Sequence, residues 1–293
     1  SLKKHVHLVH NVAKERIKDE IKKVFSVWDP FVFISLLDEI KLLEHLFPWL
    51  YKTKHVEQPV RYHPFDTYVH TMLSLYELQK INFDYLVRLA MLYHDVGKVG
   101  QYEAYKIGLD REEIRKILSW PLNHRSAWPE IAKEDFSKLW FSKNEVNDIM
   151  RYIANHHVPW EILDAKNDNR VKKIRKLYSE AWFQKVNNLL DITVADRLGQ
   201  YNPMQNNTDI TDIEDLRKIL KNLRKEEWQF LAKDLKVDWK IIMDFFKIQP
   251  WPQVWELLKY ALDWVISDIK NRNNKDEILK YLKWVYKVKG LPH

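Results

Sequence analysis

The residues able to do chemistry in this 293-residue chain crowd into its middle: His70, His94-Asp95, His124, His156-His157 and Asp196. Imidazole and carboxylate donors, with no Cys anywhere to supply thiolate, suit Mn, Fe, Co, Ni or Zn, and Mg where carboxylates dominate. Asp66 and His70 are four residues apart and share a face if they lie on one helix, where both could serve one ion. His94-Asp95 follows the apolar run 86–93 and precedes Gly97, so both side chains sit where a helix ends. His156-His157 repeats that arrangement before Pro159. Two or three divalent ions held by such a set would activate water and neutralise phosphoryl charge, the chemistry of phosphoester hydrolysis. Asp95 and Lys98 are the candidate catalytic residues. Lys98, Arg125 and Arg197 are the candidate phosphate-binding cations. Asp191 competes with Asp196 as the distal ligand, but five residues of helix turn about 140° past one revolution, so the two do not face one cavity.

Helices must position these groups. Ile17, Ile21, Val24 and Phe25 recur at helical spacing, as do Leu86, Leu89, Ala90 and Tyr93. Asp29-Pro30 reads as a break, and Asp66-Thr67 and Asn82-Phe83-Asp84 read as helix starts. Strand alternation is not sustained over any stretch, and the predicted class is all-α. Residues 1–58 read as amphipathic helices rich in Lys and Glu, 59–200 as the metal-binding part, and 201–293 as a Lys-rich helical tail. Trp251, Trp255 and Trp264 are expected in the core of that tail.

Composition removes several classes. Five Gly, at 97, 100, 108, 199 and 290, can spell neither GxGxxG nor GxxxxGK[ST], so glycine-rich nucleotide-binding loops are excluded. The apolar run 31–50 is interrupted by Asp38, Glu39, Lys41 and Glu44 and does not read as a membrane span. With no apolar leader at its start, the chain is expected to be cytoplasmic. A net charge of +7 is modest, and its Lys residues alternate with acids. Basic runs such as Arg170–Lys176 therefore have two readings, a nucleic-acid track or a solvated face. Asp66 likewise reads either as a ligand or as a helix cap.

His70, the His94-Asp95-Val96-Gly97-Lys98 element and Asp196 resemble the HD superfamily of metal-dependent phosphohydrolases. The stretches EQPVRYHPFDTYVHTMLSL, RLAMLYHDVGKVGQY, NHRSA and ADRLGQY are similar to the HD region of bacterial CCA-adding enzymes and poly(A) polymerases. AKERIKDEIKKVF with LLEHLFPWL resembles the neck that precedes that region, and the segment from IQPWPQVWELLKYALDWV onward resembles its tail. The resemblance implies metal ligation by His70, His94, Asp95, His124, His156, His157 and Asp196, with Asp66 on a further ion. It also implies hydrolysis of phosphate diesters, 2′,3′-cyclic or 3′,5′-cyclic nucleotides included. Those enzymes carry a glycine-rich nucleotidyltransferase head, whereas this chain has no Gly before residue 97. The expectation is a stand-alone phosphodiesterase acting on a small phosphodiester or nucleotide. The alternative is the tRNA-binding body-and-tail subunit of a split CCA-adding enzyme.

Overall fold

The computed structural model describes residues 5–58, 64–100, 102, 127–165, 170, 173–174, 177, 183–200, 208–225, 232–249, 253–266 and 268–289. Among them every regular element is helical, in agreement with the all-α expectation. The chain forms two compact units: Ser1–Glu161 with Asn187–Asp215, and Ile162–Val186 with Leu216–His293.

The first unit opens with a 3₁₀ turn, Val6–Asn11, followed by α1 (Lys14–Val27) and α2 (Pro30–Glu39). The short helices α3 (Leu43–Leu46) and α4 (Pro48–Lys52) come next, then α5 (Thr67–Ile81) and α6 (Tyr85–Tyr93). The helices α7 (Ala127–Lys138), α8 (Lys143–Asn155), α9 (Val158–Leu163) and α10 (Phe183–Gly199) follow. The helix starts are chemical. Asp29, Asp66 and Asp84 each accept a backbone N–H of the first turn, from Val32 at 3.0 Å, Val69 at 2.8 Å and Leu86 at 2.9 Å. Ser142 and Glu145 form a reciprocal capping box at the start of α8. Each such cap stabilises its helix by about 1 kcal/mol.

Helix α6 is the hub. It packs on α1, α5 and α8, and Val87, Leu89, Ala90, Met91, Leu92 and Tyr93 are all buried. Arg88 is also 99% inaccessible, being 1% exposed. Its guanidinium donates to the carbonyl oxygens of Asn82 (2.6 Å), Phe25 (2.8 Å) and Gln79 (2.8 Å), tying the ends of α1 and α5 to α6. The helix α11 (Thr211–Lys225) enters the second unit at Leu216, and α12 (Trp239–Phe246), α13 (Gln253–Ile266), α14 (Ile269–Arg272) and α15 (Lys275–Lys289) belong to it. Its core gathers Val237, Ile242, Leu257, Ala261, Ile278 and Leu282.

The expectation for the tail tryptophans needs correction. Trp255 is 58% exposed, because the α13 core face is taken by Val254, Leu257, Leu258 and Ala261. Trp264 is part-buried and stacks on Tyr281, with centroids 4.6 Å apart and rings 6° from parallel. Trp251 lies outside the described residues. No helix among the described residues is long and apolar enough to cross a membrane.

Candidate metal centre

His94 and His156 occupy equivalent places, each the residue that ends its helix, α6 and α8. Each points Nδ1 at the carbonyl three residues back, His94 to Met91 O at 2.8 Å and His156 to Ile153 O at 2.6 Å. A carbonyl only accepts, so Nδ1 carries the hydrogen, and Nε2 of the neutral ring keeps its lone pair for a ligand. The two rings lie edge to face, 5.5 Å apart. The sequence dictates this locally. A His at a helix end satisfies one of the last carbonyls while the packing of α6 against α8 brings the two ends together.

His70, on the first turns of α5, completes the convergence. Its Nε2 lies 3.2 Å from His94 Nε2 and 3.1 Å from Asp196 Oδ1, and His94 Nε2 lies 3.6 Å from that same oxygen. Asp95 Oδ2 is 3.5 Å from His70 Nε2 and 3.4 Å from His94 Nε2. Two atoms each about 2.1 Å from one ion stand about 3.0 Å apart at a right angle and about 3.4 Å apart at the tetrahedral angle. The donor set fits a divalent cation, and His70, His94 and Asp196 form a group that could hold one.

Electrostatics agree. Burial pushes Asp95 up, but Lys98, His94 and His70 outweigh it and hold this carboxyl well below the usual range. Burial also opposes ionisation of Asp196, and hydrogen bonds from His70 and His94 overcome it. His94 is raised, since Asp95 and Asp196 outweigh its burial. His156 is pushed well down by burial and by His157 and His94 beside it. His157, half-buried and stacked 3.8 Å from His156, is lowered chiefly by burial. The cluster thus presents ionised carboxylates and keeps His156 and His157 unprotonated, the forms that bind metal, while the carboxylates draw His94 toward its protonated form until an ion displaces that proton.

The family comparisons coincide with this geometry. The model of the HD domain matches residues 61–199. This segment is an HD domain. Residues 1–52 match a second family model, described as the probable RNA and SrmB-binding site of polymerase A. A relative, the multifunctional CCA protein of Shewanella denitrificans, is 35% identical over 91 residues, covering 31% of this chain. The match spans 22% of that relative's own length. The chain therefore carries an HD domain with the neck-like region of CCA-adding enzymes, and HD domains bind divalent metals.

The remaining candidates fall elsewhere. Lys98 Nζ is bound to Asp95 Oδ2 and to Gln58 Oε1, both at 2.6 Å. Asp66 is the α5 cap. Its Oδ1 accepts from Val69 N–H and its Oδ2 from His55 N–H at 3.0 Å. Arg197 is paired with both oxygens of Asp212, donates to Asp209 O at 2.7 Å and lies 4.4 Å over the Trp160 ring. His124 and Arg125 lie outside the described residues. Asp191 accepts from Asn82 Nδ2 at 2.7 Å, away from the centre. Asn82 also donates to Asn188 Oδ1 (3.1 Å), and Asn188 donates to Tyr152 OH (2.9 Å). This buried network anchors α10 and was not legible in the sequence, because an Asn pair 106 residues apart carries no local signal.

Proposed function

We propose that the HD domain is a metal-dependent phosphodiesterase acting on small phosphate diesters, cyclic nucleotides among them. The observation that carries this reading is the convergence of His70 Nε2, His94 Nε2 and Asp196 Oδ1, with Asp95 beside them. His70, His94, Asp95, Asp196 and the pair His156-His157 would hold the ions, and His124 is a further ligand in this proposal. A bound divalent cation supplies an acidified water and neutralises phosphoryl charge. The chain's own groups do the rest. Met91 and Ile153 carbonyls fix the tautomers of His94 and His156, so each ring keeps the lone pair of Nε2 for the ion. Asp95 Oδ2 keeps a negative charge in a water-poor cluster, and Lys98 Nζ, part-exposed at its edge, can move from Asp95 to a phosphoryl oxygen. A Lys in that place compensates charge on the leaving side without burying a permanent cation.

Hydrolysis of bis-(p-nitrophenyl) phosphate and of 2′,3′-cyclic nucleotides tests this. Turnover should require added Mn²⁺ or a related ion, vanish with chelator and vanish in Asp95→Ala. No turnover with any divalent ion would overturn it. A second reading, an RNA-gripping body that works beside a separate catalytic subunit, is favoured by the match of residues 1–52 to an RNA-binding segment. On that reading tRNA binding falls steeply with salt and is indifferent to Asp95→Ala.

A further inference from the structure

His10 and His45 form a second pair of facing imidazoles, apart from the HD centre. His10 Nε2 lies 3.2 Å from His45 Nδ1, and the rings meet edge to face, with centroids 5.2 Å apart and planes at 80°. The separation equals the 3.2 Å between His70 Nε2 and His94 Nε2. It also falls within the span of about 3.0–3.4 Å expected of two nitrogens on one ion.

Both side chains stand on ordered backbone. His10 lies in the last turn of the 3₁₀ segment Val6–Asn11, which Val12 N–H closes onto Val9 O at 3.0 Å. His45 lies on α3 between the buried Leu43 and Leu46. The outer nitrogens, His10 Nδ1 and His45 Nε2, have no protein partner among the described residues. Each ring is therefore free to carry its hydrogen there, which leaves two inner lone pairs facing one point. Without an ion, one inner nitrogen must hold the hydrogen that joins the pair. An ion replaces that hydrogen and satisfies both nitrogens.

The surroundings set the kind of ion. No third His, Asp or Glu ligand joins the pair among the described residues. Both rings line a cavity of about 160 Å³, which has room for water on the remaining coordination positions. Lys14 and Lys138 line it too, and their charge opposes a cation held by charge alone. Two imidazoles suit the borderline ions Zn²⁺ and Ni²⁺, whereas Mg²⁺ requires oxygen ligands.

We propose that His10 and His45 bind one Zn²⁺ or Ni²⁺ ion, which clasps the N-terminal 3₁₀ turn to α3. The site is independent of the HD centre and of the hydrolysis proposed there.

Equilibrium dialysis of the whole chain against Zn²⁺ or Ni²⁺, with Mg²⁺ as control, tests this by counting bound ions. His10 is exposed and His45 part-exposed, so substitutions there spare the core. His10→Ala and His45→Ala should each lose the same single equivalent of Zn²⁺ and of Ni²⁺, with Mg²⁺ uptake unchanged. His45→Gln, which keeps a polar side chain able to bond His10, should lose that equivalent without changing the melting temperature in chelator. Asp196→Asn, which disables the HD centre, and His7→Ala, which removes the neighbouring histidine of the turn, should both retain it. In Asp196→Asn protein, added Zn²⁺ should slow hydrogen exchange at the Val12 amide by about tenfold, and His45→Gln should cancel the slowing. Loss of the equivalent in neither or only one of the two alanine variants overturns the proposal, as does its loss in His7→Ala or in Asp196→Asn.

Discussion

Gly199 lies against Ser74 so closely that a Cβ on the glycine would fall 2.8 Å from the Ser74 nitrogen and 2.9 Å from its Cα. Ser74 is one helical turn after His70 on α5, and Gly199 is three residues after Asp196 on α10. The backbone contact of these two small residues therefore sets the helix separation that places His70 Nε2 3.1 Å from Asp196 Oδ1. Since the collision is with backbone as well as with Ser74 Oγ at 2.1 Å, no rotamer change relieves it. Gly199→Ala should destabilise the protein by about 1–3 kcal/mol and lower its retained metal, read by denaturant titration and elemental analysis. Ser74→Gly in that background should not restore either property.

Asp196 and Asp191 share a helix and differ in what they face. Asp196→Asn should abolish metal retention with the helical content intact, because it removes a carboxylate from the convergent group. Asp191→Ala should keep the metal and lose about 1–2 kcal/mol of stability, because Asn82 Nδ2 loses that acceptor. Metal content and thermal melting of the two variants, measured side by side, separate the roles. Equal metal loss in both would refute the assignment.

Acid sensitivity should come in part from Glu145. Its Oε1 accepts from Lys22 at 2.8 Å and Tyr85 OH at 2.7 Å, linking α8 to α1 and α6. Burial opposes its ionisation, but hydrogen bonds from Lys22, Tyr85 and Ser142 prevail and bring it down to about 2. A folded pKa below the ordinary 4.5 means the unfolded chain takes the proton first as pH falls. The contribution is thus complete above about pH 4.5 and is lost on the way to about pH 2. After discounting for solvent at this part-exposed pair, it amounts to about 1 kcal/mol. Glu145→Gln should lower stability at neutral pH and flatten the curve of stability against pH across that window.

Arg88 is costly to remove, being buried and bound to three carbonyls. Burial lowers its pKa, yet its three carbonyl partners satisfy the guanidinium. Arg88→Met should cost about 3 kcal/mol or more, because three buried acceptors lose their donors. Arg88→Lys should recover little of that, since one ammonium cannot span three directions held by a planar fork. Chemical denaturation of both variants checks the order.

The sequence by itself determined whatever depends on near neighbours along the chain. The helix starts at Asp29, Asp66 and Asp84 and the buried stripes of α1 and α6 are local properties, fixed by capping groups and by a 3.6-residue period. The types and spacing of His70, His94, Asp95 and Asp196 were legible for the same reason, and so was the helix rotation that separates the faces of Asp196 and Asp191. Tertiary structure alone decided how those groups meet. Asp66 could have been a ligand or a cap, and the backbone N–H groups of Val69 and His55 settled its oxygens. Arg197 stood beside Asp196 in sequence, yet Asp212, fifteen residues away, captured its guanidinium. The Gly199–Ser74 contact and the Asn82–Asn188 pair join segments more than a hundred residues apart. Local propensity carries no information about such distances, and only packing, which favours close contact wherever side chains are small, brings them into register.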